Sequence, residues 1–123
     1  MKTPLTNRET DVMQVLWDNG SCVVAEVRAQ LRDDLAYTTV LSILRTLEAK
    51  GFVRHSEQGR GHLYSAKVEQ QAARKNALKH LTDKLFKGSS ELLFTHLVSD
   101  EKLTPQQIER MRELLAGRAK NKE

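Results

Sequence analysis

Thr38, Ser42, Arg45 and Ala49 recur at three- and four-residue spacing, so a helix through them carries a stripe of short hydroxyls around one guanidinium. An ordinary solvated helix face carries several Glu and Lys residues. Short hydroxyls instead let a large surface come close and then hydrogen-bond to it. Val40, Ile43, Leu44 and Leu47 form the opposite stripe, which is apolar and suited to a core. No covalent chemistry follows from this pattern. What it suits is recognition of a polar, anionic groove such as that of DNA. Arg45 can hold a guanine edge with two hydrogen bonds or bind a phosphate, and only the first discriminates between bases. Thr39 and Thr46 flank the stripe and suit phosphate contacts. Arg60, in the glycine-rich turn Glu57-Gln58-Gly59-Arg60-Gly61, suits a backbone or minor-groove contact, and Arg54 and His55 are weaker candidates of the same kind.

The elements that must hold these residues read as three helices and a hairpin. Thr6-Asn7-Arg8-Glu9 matches a capping box and predicts a first helix from about Asn7 to Asp18, ended by Asn19-Gly20. Ser21-Cys22-Val23 reads as an extended link, and Val24, Val27 and Leu31 give a second helix to about Arg32. Tyr37 to Lys50 is the third, stopped by Gly51. Phe52 to Ser56 and His62 to Ala66 read as paired strands about the Gly59-Gly61 turn, with Tyr64 on the opposite side to Leu63 and Ser65. Three helices and then a hairpin with a basic tip is the order of a winged helix-turn-helix, whose second motif helix enters the major groove.

After Ala66 the chain turns helical again. Three helices are expected over about Glu69–Phe86, Ser90–Val98 and a last one opened by Thr104-Pro105-Gln106-Gln107. Leu78, Leu81, Leu85, Leu92, Leu93, Leu97, Ile108, Met111 and Leu115 supply their apolar faces. Helices of this total length rarely make a sufficient core alone, so these residues are expected to meet a second copy of the chain. The expected division is residues 1–67 for the winged helix-turn-helix and residues 68–123 for a helical dimerisation domain.

Composition bounds the function. At 123 residues, 39% hydrophobic and 29% charged, the sequence is that of an ordinary globular protein. It has no apolar run long enough to span a bilayer and no signal-peptide core, so a cytoplasmic protein without direct membrane association is expected. A single cysteine excludes an internal disulfide. The net charge of +4 lies wholly beyond Ala66, because residues 1–66 sum to zero. Within that neutral half the six acids up to Asp34 precede the third helix, while Arg45, Lys50, Arg54 and Arg60 lie in it or after it. If folding separates the two groups, the basic one faces phosphates.

Four segments together resemble the BlaI/MecI penicillinase-repressor family: E-x-D-V-M-x-V-L-W-D at Glu9 to Asp18, L-A-Y-T-T-V-L-S-I-L-R-T-L-E-A-K-G-F-V at Leu35 to Val53, G-R-G-H-L-Y at Gly59 to Tyr64, and Leu81 with Leu85-Phe86-Lys87-Gly88-Ser89. The resemblance covers nearly the whole chain. It implies a dimeric winged-helix repressor that binds a palindromic DNA operator; no enzymatic activity and no cofactor are expected. It also implies pairing with a membrane-embedded sensor protease that cuts the repressor in its fifth helix. The family's best-known cleavage point is an Asn-Phe bond, and His96-Leu97 stands at that position here. The family's copper-responsive branch carries a Cys-x-Cys pair near the C-terminus, where this sequence has no cysteine.

Two other readings use fewer of these residues. A winged-helix interaction module without DNA affinity would fit the neutral N-terminal half. A metal-responsive regulator would use His55 and His62 on facing strands, but the sequence offers no evident third ligand. His80 and His96 lack any ligand spacing. Cys22, beside Val23 and Val24, reads as a small buried side chain, and Trp17 is expected to pack between the first helix and the hairpin. No phosphate loop, nucleophile elbow or HExxH occurs.

Overall fold

The computed structural model describes residues 3–121, in the order α1 (Asn7–Asn19), β1 (Cys22–Val23), α2 (Val24–Gln30), α3 (Tyr37–Lys50), β2 (Val53–Gln58), β3 (Gly61–Ala66), α4 (Gln70–Leu85), α5 (Ser90–Asp100) and α6 (Pro105–Asn121). It is a mainly helical protein with a small antiparallel sheet. Two compact units divide between Leu81 and Thr82.

The first unit is the winged helix-turn-helix. Thr6 caps α1 as its sequence predicts: its Oγ1 accepts from the Glu9 N–H at 3.2 Å, and its own N–H donates to Glu9 Oε1 at 2.8 Å. Gly51 ends α3 in the left-handed region at φ 87°, which an L side chain disfavours. Its N–H donates to the Glu48 carbonyl, and that of Phe52 to the Leu47 carbonyl, turning the chain at once into β2. The core joins Val12, Met13 and Leu16 of α1, Val27 of α2, Val40, Leu44 and Leu47 of α3, and Val53 and Tyr64 of the sheet. Tyr64 is only 1% exposed, while Leu63 and Ser65 on the other side of β3 are half-buried, as strand alternation predicts.

The sheet has three strands, in the order β1-β3-β2. The expected link at Cys22-Val23 is a strand, pairing Cys22 with Tyr64 and Val23 with Leu63. Two residues are too few to show alternation, and their partner lies some forty positions on, so no local pattern marks them. Cys22 is buried. Its thiol is pushed up by burial and by the Glu26 carboxylate.

Trp17 leans on the core and donates its indole N–H to the Val68 carbonyl at 2.9 Å, just past the hairpin. Gln70 Nε2 donates to Gln14 Oε1 at 3.1 Å, and Ala73 is buried. These contacts tie the start of α4 to α1. Compactness divides the chain inside α4, between Leu81 and Thr82.

In the second unit, Ser89 caps α5 by accepting from the Leu92 N–H at 3.0 Å. Thr104 and Gln107 cap α6 reciprocally, at 3.1 and 2.9 Å. Helix α6 runs on to Asn121; Lys122 and Glu123 lie outside the described residues. Neither α5 nor α6 contains a buried residue.

Candidate nucleic-acid interface

Helix α3 divides as its two stripes predict. Val40, Leu44 and Leu47 are sealed in the core, and Ile43 lies partly buried against it. Thr38, Thr39, Ser42, Arg45, Thr46 and Ala49 are exposed together on the far side. Ala36, at the N-cap, offers no side-chain hydrogen bond, so the first turn of α3 presents backbone N–H groups beside Thr38 and Thr39. The Thr46 hydroxyl donates to the Ser42 carbonyl at 3.0 Å, so this flanking donor is occupied within the helix. Arg60 is exposed in the β2–β3 turn, where Gly59 takes φ 61°.

Folding sorts the charges further than sequence order does. Arg45, Arg54 and Arg60 are exposed and make no ion pair among the described residues. Asp33, by contrast, is paired with Arg8, and Arg28 lies 3.9 Å from Asp34 while donating to the Leu35 carbonyl at 2.7 Å. Lys50 departs from the expected basic group. Its Nζ donates to Glu9 Oε1 at 2.7 Å and reaches the Pro4 carbonyl at 3.4 Å, so this cation is turned inward. Burial pushes the Glu9 carboxyl up, but hydrogen bonds from Lys50 and Thr6 outweigh it and hold the group below the usual carboxylate range. The pair joins residues 41 positions apart, so nothing in the sequence signals it.

A second polar cluster sits between α3 and the hairpin. His55 Nδ1–H donates to the Glu48 carboxylate at 2.7 Å. The His55 and His62 rings stack with centroids 4.4 Å apart at 16°, although the register sets His55 against Tyr64 and His62 against Glu57. The Tyr64 hydroxyl is pushed up by burial and by Glu48, with Arg45 pulling the other way. Among the described residues no three His, Cys, Asp or Glu side chains are grouped to hold a metal ion. His55 therefore links α3 to the wing.

His96 and Leu97 lie within α5. His96 Nδ1 bonds the Asp100 carboxylate at 3.0 Å and its ring meets the edge of Phe86, while Leu97 is exposed. Leu85, Leu92, Ile108 and Leu115 of the second unit are exposed too, with Leu93 and Met111 half-buried; Leu78 and Leu81, in the first unit's part of α4, are exposed as well. No helix among the described residues is long and apolar enough to cross a membrane.

An exposed hydroxyl-and-arginine helix, backed by two helices and flanked by an antiparallel wing, defines a winged helix-turn-helix transcriptional regulator. The chain belongs to the penicillinase repressor family, whose profile matches residues 5–117. It is 24% identical over 115 residues to the methicillin resistance regulatory protein MecI of Staphylococcus aureus strain N315, covering 90% of this chain and 92% of that one. Against the penicillinase repressor of Staphylococcus aureus it is 21% identical over 109 residues, with 87% and 86% covered. Among solved structures, Bordetella bronchiseptica BpsR aligns with a TM-score of 0.48 at 17% identity, over 94% of this chain and 76% of that one. As a member of the penicillinase repressor family, the protein is a DNA-binding repressor and not an enzyme.

Proposed function

We propose that the protein represses transcription in the cytoplasm as a homodimer on a palindromic operator, with Thr38, Thr39, Ser42, Arg45 and Thr46 of α3 in the major groove and Arg60 at the flanking backbone. The observation that carries this is the pairing of two exposed surfaces of opposite character. One is the short-hydroxyl face of α3 with its unpaired arginines. The other is the exposed leucines of α5, α6 and the end of α4, which a chain in water leaves open only at a cost. A second copy covers that surface and sets two reading helices about 34 Å apart, one duplex turn. Residues 68–123 then serve as the dimerisation domain.

The same reading places the regulated genes in a β-lactam-resistance or related operon with a membrane-embedded sensor protease. His96-Leu97 lies inside a helix, so cleavage there requires α5 to open, and a cut would sever the dimer surface. Mass spectrometry of the protein recovered from induced cells tests this step: fragments ending at His96 support it, and an intact chain throughout induction removes it. The operator reading is tested by selecting duplexes from a random library. A dyad-symmetric product, bound with an affinity that falls steeply with salt, is expected. Recovery of no enriched sequence would leave an interaction module as the better description.

A further inference from the structure

Glu9 and Lys50 lie outside both the reading face and the leucine-rich surface, yet their contacts converge on the end of α3. Glu9 is only 5% exposed. Its Oε1 accepts from the Thr6 N–H at 2.8 Å and from Lys50 Nζ at 2.7 Å. Lys50 is the last residue of α3, immediately before left-handed Gly51, and Thr6 is the cap of α1. The bond therefore joins the N-terminal end of one helix to the C-terminal end of the other. Between those ends the contact is apolar, through Val12, Met13 and Leu16 on one side and Leu44 and Leu47 on the other. Such burial is non-directional: it fixes the distance between helices better than their rotation. A buried ion pair adds little net stability over an apolar pair, and its best-attested use is to specify one arrangement.

We propose that the Glu9–Lys50 pair is a positioning lock that sets the rotation and tilt of the reading helix, and so governs discrimination between DNA sequences rather than affinity for DNA in general. The proposal rests on α3 being the reader. Glu9→Gln is an informative variant, because Gln still completes a capping box while the ion pair is lost. Lys50→Gln removes the other partner. Each folded variant, and the double variant, would be titrated against a duplex selected from a random library by the parent protein, and against a mixed-sequence duplex of equal length. Backbone residual dipolar couplings would report the orientation of α3 against α1.

Both single variants are expected to lose the equivalent of about one base-pair contact, roughly tenfold, on the selected duplex. Little change is expected on the mixed one, and the double variant should lose no more than either single. Dipolar couplings of α3 shift while those within α1 hold. Lys50→Arg, which keeps the charge, is expected to keep discrimination and couplings near parental values, and it answers the question should Lys50→Gln fail to fold. Folded variants with parental couplings and parental discrimination overturn the lock, as does a Lys50→Arg protein that loses both. A parent that selects no duplex removes the DNA reading, and the couplings still decide the lock.

Discussion

The two compact units bury their apolar residues in opposite ways. In the first unit two leucines of α3 are sealed: Leu44 and Leu47 are 0% exposed. In residues 82–123 neither α5 nor α6 has a buried residue, and Leu85 and Leu114 stand 72% and 73% exposed. Both stretches carry helical apolar stripes. The first closes its stripe against α1, α2 and the sheet. The second has only α5, α6 and the end of α4, too few elements to enclose a core. If the proposed dimer completes the second unit, the same Leu substitution should read out as stability in the first unit and as assembly in the second.

The comparison breaks most sharply by truncation. A chain ended after Leu81 keeps the Trp17–Val68 bond and buried Ala73, so it is expected to fold cooperatively as a monomer. Its operator affinity should fall by about 10²–10⁴-fold, the range that loss of bivalency gives; calorimetry and gel shift check both halves. Retention of parental affinity would place the whole interaction in one unit.

Leu44→Ala and Leu97→Ala sharpen it next. Emptying the site of Leu44 should cost ~2–5 kcal/mol of unfolding free energy, independent of protein concentration. Leu97→Ala should instead shift the dimer dissociation constant measured by sedimentation, with a melting temperature that depends on concentration. Equal, concentration-independent losses would mean that the second unit has a core of its own.

Smaller effects separate the reading face from its supports. Arg45→Ala should cost ~1–3 kcal/mol on the operator if it grips a guanine, with melting temperature and dimerisation unchanged. Arg60→Ala should act more weakly and equally on all sequences, lowering the salt slope by about one.

The smallest expected change is in acid stability. The Glu9 carboxyl is held below its ordinary value of 4.5 in the folded chain. It therefore contributes stability above that value, which is lost as pH falls through the folded one. The melting temperature of Glu9→Gln should be lower near neutrality and should fall less steeply than the parent's on acidification below pH 4.5. Parallel curves would assign Glu9 no part in the folded balance.

The sequence by itself determined the helices, their caps and the division of α3. Those are local facts: a capping box spans four residues and an amphipathic stripe repeats every three or four, so the cap of Thr6 and Glu9, the buried face of Val40 and Leu44 and the exposed face of Arg45 are legible without the rest of the chain. It also marked the hairpin, because Gly59 and Gly61 sit between short β-prone runs. Only the tertiary structure decided which cations remain exposed. Lys50 and Arg45 look alike in sequence, and it is the approach of Glu9 that turns Lys50 inward while Arg45 stays open. The same holds for Cys22 and Val23, which become a strand only beside β3, for Glu48, which meets His55 across the turn at Gly51, and for the start of α4, which Trp17 and Gln14 claim for the first unit. Each of these depends on a partner brought near by the packing of the core, and no periodicity in the chain records such a partner.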